Sequence, residues 1–144
     1  MLIPDEISQF ISEHFALTIA VSSQNGPYCA SCFYIFDPAG PDFVFSSSRF
    51  SFHAEEMLKM PVVAACIHKE TANIQEIQGV QICGRVRELS ENHECRLIDL
   101  YRDRFTFPGD IETAFWAIRA NYIKMTDNTA GFGYKRVWQG NELR

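Results

Sequence analysis

The chain has 144 residues, 47% of them hydrophobic and 22% charged, with a formal charge of −5 and a pI near 5.3; one domain over 1–144 is expected, able to bury roughly 70% of its unfolded surface. An acidic balance without a Lys/Arg cluster argues against a nucleic-acid surface, and no window approaches the ~18 apolar residues of a membrane helix. The N-terminal run Met1-Leu2-Ile3-Pro4-Asp5-Glu6 lacks the positive charge of a signal peptide, so a cytoplasmic protein is expected.

Ile3, Ile7, Phe10, Ile11 and Phe15 recur at helical spacing, predicting a helix over 4–14 with Pro4 in its first turn. Leu17, Ile19 and Val21 alternate with small polar residues as a first strand, and Asn25-Gly26 suits a two-residue hairpin turn. Residues 28–36 form a second strand, apolar on both faces and so expected to be covered on both sides. After the turn Asp37-Pro38-Ala39-Gly40-Pro41 comes a third strand, Asp42–Ser46. Next is a helix over 51–59, with Ser51 as N-cap and Pro61 beyond its end.

Val62–His68 reads as a buried fourth strand and 74–89 as a long fifth. In the fifth, Ile77 is out of phase with Val80, Ile82 and Val86, and a bulge at Gly79 would correct it. Ser90 is placed to cap a helix of about sixteen residues with Leu97, Ile98, Tyr101 and Phe105 on one face. Phe107-Pro108-Gly109 ends it, and strands over 114–125 and 134–138 complete the chain. Seven strands and three helices without βα alternation predict a mainly-β antiparallel barrel with peripheral helices.

Five cysteines, an odd number, are expected as reduced thiols. Cys29-Ala30-Ser31-Cys32 has CxxC spacing, but within a strand residues three apart point to opposite faces, so no redox pair is expected. His14, His53, His68 and His93 are isolated, and no metal site is expected.

Two segments could carry chemistry. Ser46-Ser47-Ser48-Arg49-Phe50-Ser51 joins a strand to a helix. Its hydroxyls, guanidinium and helix N-terminus could cradle a phosphate, or it is an ordinary serine-rich turn and cap. Thr126-Asp127-Asn128-Thr129-Ala130-Gly131-Phe132-Gly133 concentrates hydrogen-bonding side chains and glycines at the end of an apolar strand. It is either a glycine-rich turn or part of a binding site.

Ile123-Lys124-Met125-Thr126-Asp127-Asn128-Thr129 with Gly131-Phe132-Gly133 and Trp138, together with Asn25-Gly26 through Phe33-Tyr34-Ile35-Phe36, resembles the YhbP-type bacterial family of the pyridoxamine 5′-phosphate oxidase-like, FMN-binding split-barrel superfamily. The resemblance implies an antiparallel split β-barrel and a homodimer with FMN in clefts between subunits. It implies FMN phosphate near Ser46, Ser47, Arg49, Ser51 and His53, and the flavin ring along Ser31, Cys32 and Phe33. Gly79 occupies the place of a flavin-contacting glutamine. Asn128, Thr129 and Trp138 would close the pocket, Trp138 being alternatively a core aromatic. Tyr101 and Arg104 fall near the family's substrate region, or on a solvated helix end.

The family's oxidases carry Ser/Thr-Arg-Lys where this chain has Ser51-Phe52-His53, and Arg and Lys where it has Cys29 and Tyr34. These departures imply that vitamin B6 oxidation is not the activity. A flavin performs its own electron transfer, so no catalytic acid–base pair is required. The implied function is a flavin-dependent oxidoreductase acting on an unidentified small molecule. The alternatives are a haem- or other ligand-binding barrel without flavin turnover, with His53 as a haem ligand, or a barrel serving only as an interaction module.

Overall fold

The computed structural model describes residues 2–109 and 111–141. Its elements run α1 (Asp5–Glu13), β1 (Ala16–Val21), β2 (Tyr28–Asp37), β3 (Asp42–Ser47), α2 (Phe52–Lys59), β4 (Val62–His68), β5 (Gln78–Glu88), α3 (Cys95–Arg104), β6 (Ala114–Asp127) and β7 (Lys135–Gln139), with a 3₁₀ turn over Ile74–Glu76. All pairings are antiparallel, in the order β3-β2-β1-β4-β5-β6-β7. An additional β3–β6 ladder closes the first six strands into a barrel and leaves β7 outside the closure.

Alternation decides what fills the barrel. Leu17, Ile19 and Val21 on β1, Val63, Ala65 and Ile67 on β4, and Val80, Ile82 and Val86 on β5 point inward and are buried. Helix α1 adds Ile7, Phe10 and Ile11 to this core, and the Tyr34 hydroxyl donates to the Ile11 carbonyl beside it. Each such apolar side chain contributes about 1.5–3 kcal/mol on burial. A second cluster forms outside the barrel, where Leu97, Ile98 and Tyr101 of α3 cover Ile35, Val44, Phe115 and Ala117.

Four local expectations are corrected. The register runs unbroken through Gly79, paired with His68 and Thr126; the shift lies at Cys83/Gly84, where Asn121 is the extra residue on β6. Ile77 is out of phase because β5 begins after it, behind the 3₁₀ turn. Ser90 does not cap α3: its Oγ accepts from the Asn92 N–H in a separate turn, and the helix starts at Cys95 and spans ten residues. The β1–β2 turn is a two-residue one, but its central residues are Gln24 and Asn25 rather than Asn25 and Gly26: Ser23 and Gly26 exchange backbone hydrogen bonds around them, and of these residues only Gly26 takes positive φ.

Strand β2 is covered on both sides only in its second half. Ile35 lies beneath α3, whereas Cys29, Ser31 and Phe33 on the outer side of the first half are exposed. Cys29 is exposed and Cys32 half-buried, on opposite faces of the strand. No helix among the described residues is long and apolar enough to cross a membrane.

Candidate cofactor-binding groove

The β2–β3 ladder ends at Tyr34↔Phe45. Beyond it β2 continues only against β1, and β3 only against β6, through Ser46↔Phe115 and Ser47↔Ala114. The two strands part, and a groove of about 360 Å³ opens between Ser31, Cys32 and Phe33 on one wall and Ser46, Ser47 and His53 on the other. Ala16 of β1, Tyr101 of α3 and Phe107 complete it. Its size falls within the range of small-molecule sites.

The Ser46–Ser51 segment is organised by its own hydroxyls. Ser51 Oγ accepts from the Ala54 N–H at 3.3 Å as the N-cap of α2 and donates to the Ser48 carbonyl at 2.8 Å. Ser47 Oγ lies 2.6 Å from His53 Nε2 and 3.3 Å from Ser51 Oγ. The Trp116 indole donates to the Ser47 carbonyl at 3.0 Å and ties the segment to β6.

Burial keeps the groove uncharged. It lowers the pKa of His53, favouring neutral imidazole, and pushes the Cys32 thiol up to about 11 and the Tyr101 phenol up to about 12. No lysine, arginine or carboxylate lines it among the described residues. The Ser47–His53 pair therefore lacks the acid that would orient a hydrolytic triad. The groove can accept an apolar, planar body and offer hydroxyls, one thiol and one neutral imidazole.

Seven of the anticipated residues thus meet in one place: Ser31, Cys32, Phe33, Ser46, Ser47, His53 and Tyr101. Ser51 is joined to them by hydrogen bonds. Arg49 is not among them. It turns to the other side of its loop, pairs with Glu88 at 3.2 Å, and lines a neighbouring groove with Glu91 and Glu112. Arg104 donates to the His14 carbonyl at 3.2 Å and lies over the Phe105 ring.

Gly79 sits within the sheet, where an added Cβ would come 3.0 Å from the Ile67 carbonyl oxygen. Asn128 holds the β6–β7 turn against the 3₁₀ segment: Nδ2 donates to Ile74 O at 2.7 Å and Oδ1 accepts from the Gly133 N–H at 2.9 Å. Thr129 bonds to Asp127 Oδ1 through its N–H at 2.9 Å and its Oγ1 at 2.6 Å. Trp138 is 5% exposed in the barrel core. Within one chain these four residues serve the fold.

Sequence reasoning missed Ala16 and Phe107. Phe107 could have been found as an aromatic directly after the helix bearing Tyr101. Nothing local marks Ala16, which enters the groove only because β1 begins beside Phe33.

No protein-family model matches the chain. It is 32% identical over 133 residues to the UPF0306 protein of Klebsiella pneumoniae, covering 92% of this chain and 90% of the relative. To the UPF0306 protein YhbP of Escherichia coli it is 30% identical over 135 residues, covering 94% and 92%. The chain belongs to the UPF0306/YhbP family.

Solved structures share the fold at low identity. A haem-binding protein from Mycobacterium smegmatis superposes with a TM-score of 0.71 at 14% identity, over 97% of this chain and 60% of that one. A pyridoxamine 5′-phosphate oxidase-related, FMN-binding protein from Nostoc punctiforme superposes at 0.70 and 11% identity, over 98% and 93%.

Proposed function

We propose that this UPF0306 protein is a cofactor-binding barrel that holds a planar, conjugated ligand of the haem class in the split between β2 and β3, without flavin turnover. The observation that carries this reading is the character of the groove: its walls are aromatic and uncharged, and its one imidazole is held neutral by burial. Haem iron takes neutral imidazole as an axial ligand. His53 would hold the iron by exchanging Ser47 Oγ for it, with Phe33, Tyr101 and Phe107 against the ring. The haem-binding protein of Mycobacterium smegmatis, similar over nearly all of this chain, supports the reading.

FMN is the second reading. Ser46, Ser47 and Ser51 and the N-terminus of α2 would receive its phosphate, and the FMN-binding protein of Nostoc punctiforme supports it. Against it stands Arg49, the cation of the segment, which is paired with Glu88 outside the groove. If flavin binds, it does so through hydroxyls and backbone N–H groups, as the cofactor of an oxidoreductase whose substrate is unidentified.

A homodimer belongs to the same proposal. Phe33 of the groove wall is exposed in edge-to-face contact with Phe15, and Tyr28 and Phe52, which flank groove residues in sequence, form another exposed edge-to-face pair. A second copy would cover this aromatic patch and close the groove.

Titration with haem and, separately, with FMN tests the reading. The expected result is a saturable Soret band at one haem per subunit that shifts or vanishes in His53→Ala. Unchanged haem spectra would overturn it, and saturable quenching of FMN fluorescence weakened by Ser47→Ala would favour flavin instead.

A further inference from the structure

Where β2 leaves β3, the split is lined from both faces of the sheet. Phe43 and Phe45 of β3 point into the barrel core, whereas Val44 lies in the cluster beneath α3. Successive side chains alternate, so Ser47 continues the core-facing row and Ser46 the row beneath α3. On the core side the Ser47 hydroxyl lies 2.6 Å from His53 Nε2. On the other side Tyr101 of α3 reaches the same strand, its phenol oxygen accepting the Ser46 backbone N–H. Strand β2 repeats the pattern, with Cys32 against the barrel core and Phe33 stacked on Phe105 at 5.2 Å. A planar ligand in the split therefore meets His53 from the core side and Tyr101 from the α3 side.

Tyr101 is built into its place. It is 4% exposed, ringed by Phe105, Phe107 and Phe115 at 5.0, 6.2 and 5.8 Å, and still lines the groove. Among the described residues no group accepts the phenol proton, although a buried hydroxyl ordinarily finds a partner. Burial also pushes its pKa up to about 12, so the proton stays on the oxygen at neutral pH. The other hydroxyls on this side are paired, Ser46 with Thr113 at 2.8 Å and Ser31 with Thr18 at 3.3 Å. Phe33 and Phe107 are apolar. The α3 side of the groove thus offers one fixed, unspent donor.

We infer that Tyr101 is the hydrogen-bond donor for a second, small ligand, such as dioxygen or a small inorganic anion, taken up on the face of the bound ring opposite His53. This rests on the haem reading and deepens it, because a donor on the open side decides whether bound iron holds an exogenous ligand. The Ser46 N–H and the surrounding rings fix the phenol, so the donor is in place before the ligand arrives and little ordering is lost on binding. The groove is then a site for two ligands: a ring held by His53 and a small acceptor held by Tyr101.

Fluoride and carbon monoxide test it on the haem-loaded full chain, the first a strong hydrogen-bond acceptor and the second a weak one. Tyr101→Phe keeps the ring and deletes only the donor. It is expected to weaken fluoride binding to the ferric form about tenfold and to shift the charge-transfer band of the fluoride complex. Soret intensity and the carbon monoxide affinity of the ferrous form should stay unchanged, which also shows that the variant is folded. Equal fluoride affinity and an unshifted band in the two chains would overturn the inference while leaving haem binding intact. So would a ferric spectrum that ignores fluoride altogether, because the face opposite His53 would then be closed. A natural chain that gives no Soret band would overturn the haem reading and this inference together, a failure visible before any fluoride is added.

Discussion

Asp42, 3% exposed at the first position of β3, accepts two hydrogen bonds from Arg119 of β6, Nε and Nη2 each lying 2.8 Å from a carboxylate oxygen. Arg87 of β5 donates to the same carboxylate at 3.0 Å and also pairs with Glu94 ahead of α3 at 2.7 Å. One buried carboxylate thus joins β3, β5 and β6 near the line where the barrel closes. Removing it leaves Arg87 half-buried beside a missing partner. Asp42→Ala is expected to destabilise by about 3 kcal/mol, and Glu94→Ala by about 1 kcal/mol or less because that pair is more exposed. Urea denaturation measures both, and equal effects would refute the central role of Asp42.

Gly84 sits opposite the bulge, where an added Cβ would collide with the Arg119 backbone carbonyl. Backbone on both strands fixes that approach, so no flexible group can move aside. Gly84→Ala is expected to lose about 1–3 kcal/mol through overpacking. At Gly79 the same change meets a carbonyl oxygen at 3.0 Å and should cost less. Thermal melts rank the two.

The imidazole of His53 is half-buried, and this burial lowers its pKa. The unfolded chain takes up a proton near pH 6.5, while the folded one resists. The contribution of His53 to stability is therefore full above about pH 6.5 and is lost as pH falls through the lower folded value. Denaturation midpoints between pH 8 and 5 should fall less steeply in His53→Gln than in the natural chain. Parallel curves would mean that another group sets the slope.

Burial holds the Cys32 thiol near a pKa of about 11, leaving little thiolate at pH 8. Cys29 and Cys95 are exposed. An alkylating reagent at pH 8 is expected to modify those two at least about tenfold faster than Cys32, as read by peptide mass spectrometry. Rapid labelling of Cys32 would show that the groove is open to solvent beyond what its walls indicate.

Asn128 bridges the 3₁₀ turn and the β6–β7 loop by two side-chain hydrogen bonds. Asn128→Ala is expected to lose about 1–2 kcal/mol and to speed amide exchange at Gly133, with haem affinity unchanged. A loss of cofactor affinity at unchanged stability would return this residue to the binding site through a partner subunit.

Much was legible along the chain. The alternation of Leu17, Ile19 and Val21 on β1, the Ser51 cap of α2 and the full extent of β4 depend on neighbours within a few residues, and local spacing reports them directly. Clustering Ser31–Phe33 with Ser46, Ser47 and His53 followed from family resemblance, and the fold brings those residues to one groove.

What lay beyond local pattern has one physical cause: it depends on pairing between distant strands. Asn121 bulges, and Gly79 does not, because the register of β5 against β6 is set along the whole ladder. Arg49 leaves the groove because Glu88, thirty-nine positions away in sequence, offers it a carboxylate. The groove itself exists because β3, paired with β6 along its whole length, loses β2 after Phe45. Short-range periodicity determined which residues make strands and which face inward; only the closure of the barrel decided where two strands part, and so where a ligand can enter.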